Sequence, residues 1–111
     1  MKKLLLAAIA IALGSPLANA EEPIDFARDI RPILSNACFQ CHGNDADDRQ
    51  ADLRLDTAEG AFADLGGHSA IAPGKPDASE ALRRMRSSDD AEKMPPPDSG
   101  KKITPAQIEL I

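Results

Sequence analysis

The chain has 111 residues, 13 basic and 18 acidic side chains, a formal net charge of −5, two cysteines and no Trp or Tyr. An acidic surface disfavours nucleic acid and anionic lipid as partners and favours a neutral or basic protein. A single small domain is expected, with few large apolar side chains to fill it; chains of this size usually need a staple.

Met1-Lys2-Lys3 is a short positive segment, Leu4 to Leu13 is an unbroken apolar run, and Pro16 precedes the small-residue site Ala18-Asn19-Ala20. This is the pattern of a secretory signal peptide over residues 1–20. The apolar run is ten residues, against about 20 for a bilayer-spanning helix, so no stable membrane span is expected. Cleavage after Ala20 leaves 21–111 as the mature domain. Removing Lys2 and Lys3 then leaves 11 basic and 18 acidic side chains, near −7. A periplasmic or otherwise exported protein is expected.

Phe26, Ile30, Ile33 and Leu34 recur at helical spacing. If Asp29 caps this helix, Pro32 falls in the first turn, where its missing N–H is harmless. If the helix starts at Asp25, it should kink near Pro32. Either way it feeds directly into Cys38-Phe39-Gln40-Cys41-His42. This C-x-x-C-H run reads as a covalent c-type haem attachment site. Two cysteines three positions apart suit the two porphyrin vinyl groups, and the adjacent imidazole suits the iron. One covalent haem c is therefore expected, with thioethers at Cys38 and Cys41 and His42 as proximal iron ligand. The haem would also supply the missing staple.

Residues 43–50 form a polar, acidic loop that lacks the spacing of a calcium-binding EF-hand. Leu53 and Leu55 alternate with Arg54, as in a short extended piece with both leucines on one face. Thr57 is expected to cap a helix running through Leu65 and ended by Gly66-Gly67. Ala72 to Pro76 reads as a turn. Residues 79–86 read as a helix with Leu82, Met85 and Ala78 on its inner face. Arg83, Arg84 and Arg86 then fall on its wet face. Arg31 and Arg54 are read first as solvated groups and second as partners of haem propionates.

The distal iron ligand has three candidates, Met85, Met94 and His68. Met85 suits the apolar face of its helix, and His68 suits a solvated loop. Met94 precedes Pro95-Pro96-Pro97 in a polar stretch that offers it no packing role. Stiff polyproline can hold a thioether at low entropy cost. Met94 is therefore the expected ligand, and His/Met ligation suits an electron carrier of raised potential.

Thr104, Pro105 and Gln107 spell a capping box, with Ile103 and Ile108 as a hydrophobic staple. The helix so announced has about two turns, which is marginal without packing. A start so well specified suggests that 21–111 is the N-terminal piece of a longer protein.

Asp25-Phe26, Arg28-Asp29-Ile30-Arg31-Pro32-Ile33-Leu34-Ser35, the C-x-x-C-H-Gly43 run, residues 53–57, Pro73-Gly74-Lys75-Pro76, Met94 to Pro97 and residues 103–107 together resemble the planctomycete-type cytochrome c domain. The resemblance implies a mostly α, cytochrome c-like fold around a covalent haem, with axial His42 and Met94, and with the last helix packed on the first so that Ile108 and Ile111 meet Phe26, Ile30 and Leu34. It also implies attached domains or a separate redox protein as partner. On this reading the domain carries single electrons and is not itself an enzyme. Two other classes remain open. A five-coordinate haem would serve ligand sensing or peroxidase-like chemistry. A bare C-x-x-C pair would serve thiol–disulfide exchange, which calls for a βαβ setting, or would act as a disulfide or metal clip.

Overall fold

The computed structural model describes Gly14, Ser15 and residues 21–111. Apart from those two positions, the expected signal peptide lies outside the described residues. Among the described residues the regular structure is helical, and no strand is formed beyond one isolated bridge between Ser69 and Ser79. This is a small, mostly α domain.

Asp25 opens the first helical stretch, its side chain accepting from the Arg28 N–H at 2.8 Å. A wide π-type turn, Phe26–Ile30, then runs straight into helix α1, Arg31–Ala37. Pro32 explains the wide turn. It has no N–H to give, and its ring would press on the carbonyl four residues back. The chain answers by widening the turn, with the Arg31 N–H reaching back to the Phe26 carbonyl. Of the two expected starts, Asp25 is the one adopted, and the disturbance expected near Pro32 takes the form of this turn.

Thr57 caps α2, Ala58–Phe62, accepting from the Gly60 N–H at 3.1 Å. The helix ends short of the expected Leu65. The reason is Asp64, whose Oδ1 accepts from the N–H groups of Gly66 at 2.9 Å and Gly67 at 2.7 Å. That side-chain turn competes with another helical turn. Gly66 and Gly67 take φ of +101° and +94°, which side-chain-bearing residues rarely adopt. The glycines thus serve a turn of their own, beyond the helix end.

Helix α3, Glu80–Arg86, buries Leu82 and Met85 as expected. Ala78 is exposed, because it sits in the short 3₁₀ turn Pro76–Ala78 before the helix. Ser79 is 2 % exposed. Its hydroxyl is used up in the preceding loop, accepting from the Ala72 N–H at 2.9 Å and donating to the Lys75 carbonyl at 3.0 Å. Helix α4, Pro105–Leu110, opens with both halves of its capping box formed. Thr104 Oγ1 accepts from the Gln107 N–H at 3.2 Å, and Gln107 Oε1 accepts from the Thr104 N–H at 2.9 Å.

Beside Ile30, Ile33 and Leu34, buried along the first helical stretch, the core holds two clusters. One holds Leu55, Ala61 and Ala70, with Cys38, Phe39, Leu53, Ile71 and Ala81 packed around them. The other holds Leu82, Met85 and Ile108, with Ala81, Ile103 and Ile111 around them. Ala81 belongs to both. Ile108 and Ile111 therefore pack on α3, and Phe26, expected to receive them, is 56 % exposed. Proximity in sequence favours this outcome: α3 is the helix that already turns an apolar pair towards the C-terminal segment. Among the described residues no large side chain is completely enclosed. The interior is thin because a cavity occupies it.

Candidate haem site

Helix α1 delivers the C-x-x-C-H run. The helical bonding continues past its end, with the Cys38 and Phe39 N–H groups donating to the Leu34 carbonyl at 2.8 and 3.1 Å. A tight turn follows, in which the Cys41 and His42 N–H groups donate to the Cys38 carbonyl at 3.2 and 2.9 Å. Gly43 packs against this turn. It is buried, and a Cβ there would run into the Phe39 carbonyl. Only glycine lets the chain turn so closely under Phe39.

The loop after Gly43 is tied back to the same turn. The Gln50 N–H donates to the Cys41 carbonyl at 2.7 Å, and the Leu55 N–H to the His42 carbonyl at 2.8 Å. Arg49 Nε donates to the Gly43 carbonyl at 2.9 Å. His42 Nδ1 lies 3.2 Å from the Gln50 carbonyl. A carbonyl only accepts, so Nδ1 carries the proton and Nε2 keeps the lone pair a metal would use. Burial lowers the His42 pKa, which keeps the imidazole neutral.

Both cysteines carry free thiols. Cys38 packs in the first core cluster, and burial, with the neighbouring Cys41 adding to it, pushes its thiol up to about 11. Such a thiol stays protonated near neutrality.

A cavity of about 640 Å³ opens beside these residues. Cys38, Cys41 and His42 form one side of it; Met85, Met94, Pro95 and Pro96 also line it, as do Leu53 and Leu55. The size lies within the range of about 300–1,000 Å³ typical of cofactor and ligand sites. The two leucines face it together, as their alternation predicts. All three distal candidates reach it, since His68 stands on its wall as well. Burial separates them. Met85 is 6 % exposed and interlocked with Leu82 and Ile108. Met94 is half-buried, and His68 is exposed. A cavity between two thin apolar clusters, with two thiols, a tautomer-fixed imidazole and a thioether on its walls, fits a haem.

Arg31 and Arg54 are placed elsewhere. Arg31 lies over the Phe39 ring, 5.7 Å from its centroid. Arg54 is locked in a two-pronged pair with Asp56, at 3.0 and 2.7 Å, and does not line the cavity. The polar and charged groups that do line it include Glu80, Arg84 and Lys101. Arg84, expected on the wet face of its helix, instead reaches the cavity wall. One signal was available: Glu80, four residues earlier, is at the spacing that draws an arginine along the helix.

A mostly helical domain whose C-x-x-C-H turn opens onto a cofactor-sized apolar cavity defines a c-type cytochrome domain, whose cofactor is haem c. The family model described as planctomycete cytochrome C matches residues 38–98, more than half of the chain, and the chain belongs to that family. No curated protein and no solved structure matches it. Among the described residues no helix is long and apolar enough to cross a membrane.

Proposed function

We propose that this domain is exported, holds one haem through thioethers from Cys38 and Cys41, binds its iron axially with His42 and Met94, and passes single electrons to and from a redox partner or attached domains. The observation that carries this reading is that Met94 lines the same cavity as the C-x-x-C-H turn while having no core cluster of its own. When bound, the haem supplies the one-electron iron couple. The chain's residues supply the rest. The Gln50 carbonyl orients His42, the leucines and Met85 keep water from the cavity, and Pro95 and Pro96 restrict the segment that carries Met94. A thioether on the distal side leaves no open position for small molecules, which separates electron transfer from ligand sensing and peroxidase-like chemistry. The bare thiol–disulfide reading lacks its βαβ setting among the described residues.

The test is expression with a c-type maturation system, followed by a denaturing gel and visible spectra. Haem should stay with the polypeptide through denaturation and resist acid–acetone extraction. Met94→Ala should remove the weak long-wavelength band of sulfur-ligated ferric haem and admit carbon monoxide to the ferrous iron. Met85→Ala should do neither. If the Met85 variant loses the band and the Met94 variant keeps it, the distal assignment is wrong.

A further inference from the structure

Met94 lies in a segment, 87–103, whose one described regular element is the short 3₁₀ turn Pro97–Ser99. Within the segment the Asp89 carbonyl accepts from the Glu92 and Lys93 N–H groups at 3.0 and 2.9 Å, and the prolines follow Met94; the remaining ties come from α3. Three ties run from the last turns of α3. The Met94 N–H donates to the Arg84 carbonyl at 3.2 Å. Arg84 Nη1 donates to the Glu92 carbonyl at 3.4 Å. Arg83 Nη1 meets Glu92 Oε2 at 3.0 Å.

Both guanidinium groups are themselves held by one carboxylate. Glu80 Oε1 accepts from Arg83 Nη2 at 2.6 Å and from Arg84 Nε at 3.0 Å. Glu80 Oε2 accepts from Arg83 Nε at 2.9 Å. Glu80, Arg84 and Met94 all stand on the wall of the one cavity. A lone exposed ion pair restricts a chain very little. Here adjacent residues of one helical turn hold residues 92 and 94 at three points, and a rigid fork that is already oriented loses little freedom in doing so.

We propose that Arg84, aimed by Glu80, is a positioning residue that holds the 92–94 segment so that Met94 meets the iron. This rests on the axial role of Met94 proposed above. Arg84 touches Glu80 and the Glu92 backbone and acts on the metal through Met94.

The experiment uses the haem-loaded protein and two readouts: hydrogen exchange of the Met94 amide, and imidazole binding to the ferric iron. Imidazole competes with Met94, so its apparent affinity follows the fraction of molecules in which Met94 is displaced. Arg84→Gln is expected to speed the Met94 exchange about tenfold and tighten imidazole binding about tenfold, the factor by which the displaced population rises. Arg84→Lys keeps the charge and loses the fork, and is expected to behave like Arg84→Gln. Arg86→Gln is the control, because Arg86 pairs with Glu109 at 3.4 Å and is not on the cavity wall; both readouts should stay at the parent values.

Parent-like exchange in Arg84→Gln overturns the proposal. So does full recovery of both readouts in Arg84→Lys, which would mean that Arg84 serves by charge alone. Met94→Ala separates the two ideas. If it leaves imidazole affinity at the parent value, the axial assignment fails, and amide exchange alone decides whether Arg84 holds the segment. If Met94→Ala tightens imidazole and Arg84→Gln does not, the axial assignment stands and the positioning role is gone.

Discussion

The two sides of the cavity are built on different principles. The side carrying Cys38, Cys41 and His42 is a turn closed chiefly by backbone hydrogen bonds, with Arg49 on the Gly43 carbonyl, around a glycine whose replacement would press a Cβ on the Phe39 carbonyl. The side carrying Met94 is an irregular segment held on α3 by two arginine side chains and one backbone hydrogen bond. Backbone closure is insensitive to charge. Side-chain closure depends on ionisation, on rotamers and on one carboxylate. The contrast suits the two iron ligands proposed above, His42 held firmly and Met94 adjustable.

The strongest way to break this contrast is to remove the group that joins the two sides. Cys38→Ala with Cys41→Ala should yield a chain without covalent haem. With so thin an interior it should show no cooperative thermal transition by circular dichroism. A native-like melt of that variant would mean that the two clusters suffice alone.

A deletion on the distal side comes next. Met85→Ala should lower stability by about 2–5 kcal/mol, the usual cost of emptying a buried methionine. It should leave the sulfur-ligation band of the ferric haem intact. Denaturant unfolding of the haem-loaded protein gives the first number and its spectrum the second.

On the proximal side, Gly43→Ala forces a methyl group against the Phe39 carbonyl. A cost of about 1–3 kcal/mol is expected, as for other overpacked sites. Since Gly43 abuts His42, the ferric spectrum should shift as well, unlike that of Met85→Ala.

The smallest effect is electrostatic. The Glu80 carboxyl is lowered from 4.5 to about 2, chiefly by the hydrogen bond from Arg83. A depressed acid contributes stability that is present above its unfolded value and lost as pH falls through its folded one. The distal side should therefore loosen as pH drops from 4.5 towards 2. Thermal midpoints across that window should fall less steeply for Glu80→Gln. Asp29, held low by Arg28 near the start of α1, titrates in the same range, so a part of the slope should remain.

Much of this was legible in the chain itself. The C-x-x-C-H run, the capping box at Thr104 and the shared face of Leu53 and Leu55 are local patterns, and local chemistry decided them. The stretch from Asp25 to Ala37 was legible as a helix, but the way it absorbs Pro32 was not, since widening and kinking answer the same clash. The end of α2 turned on Asp64, whose side chain outbid another helical turn. Arg84 and Arg54 illustrate the limit best. Each has a nearby carboxylate in sequence, Glu80 and Asp56. Whether the resulting pair faces the cavity or the solvent depends on how α3 and the 53–57 segment pack. The partner chosen by Ile108 is likewise a matter of tertiary packing.

The burial of Cys38 carries a consequence for timing. Its thiol lies among Leu55, Ala61 and Ala70 and stays protonated to about 11 once the chain has closed around it. A half-buried, protonated sulfur is a slow reactant. On the attachment proposed above, Cys38 would react more readily while the chain is still open. That attachment would then have a direction, since Cys38 is easier to reach before the chain closes than from the cavity wall afterwards.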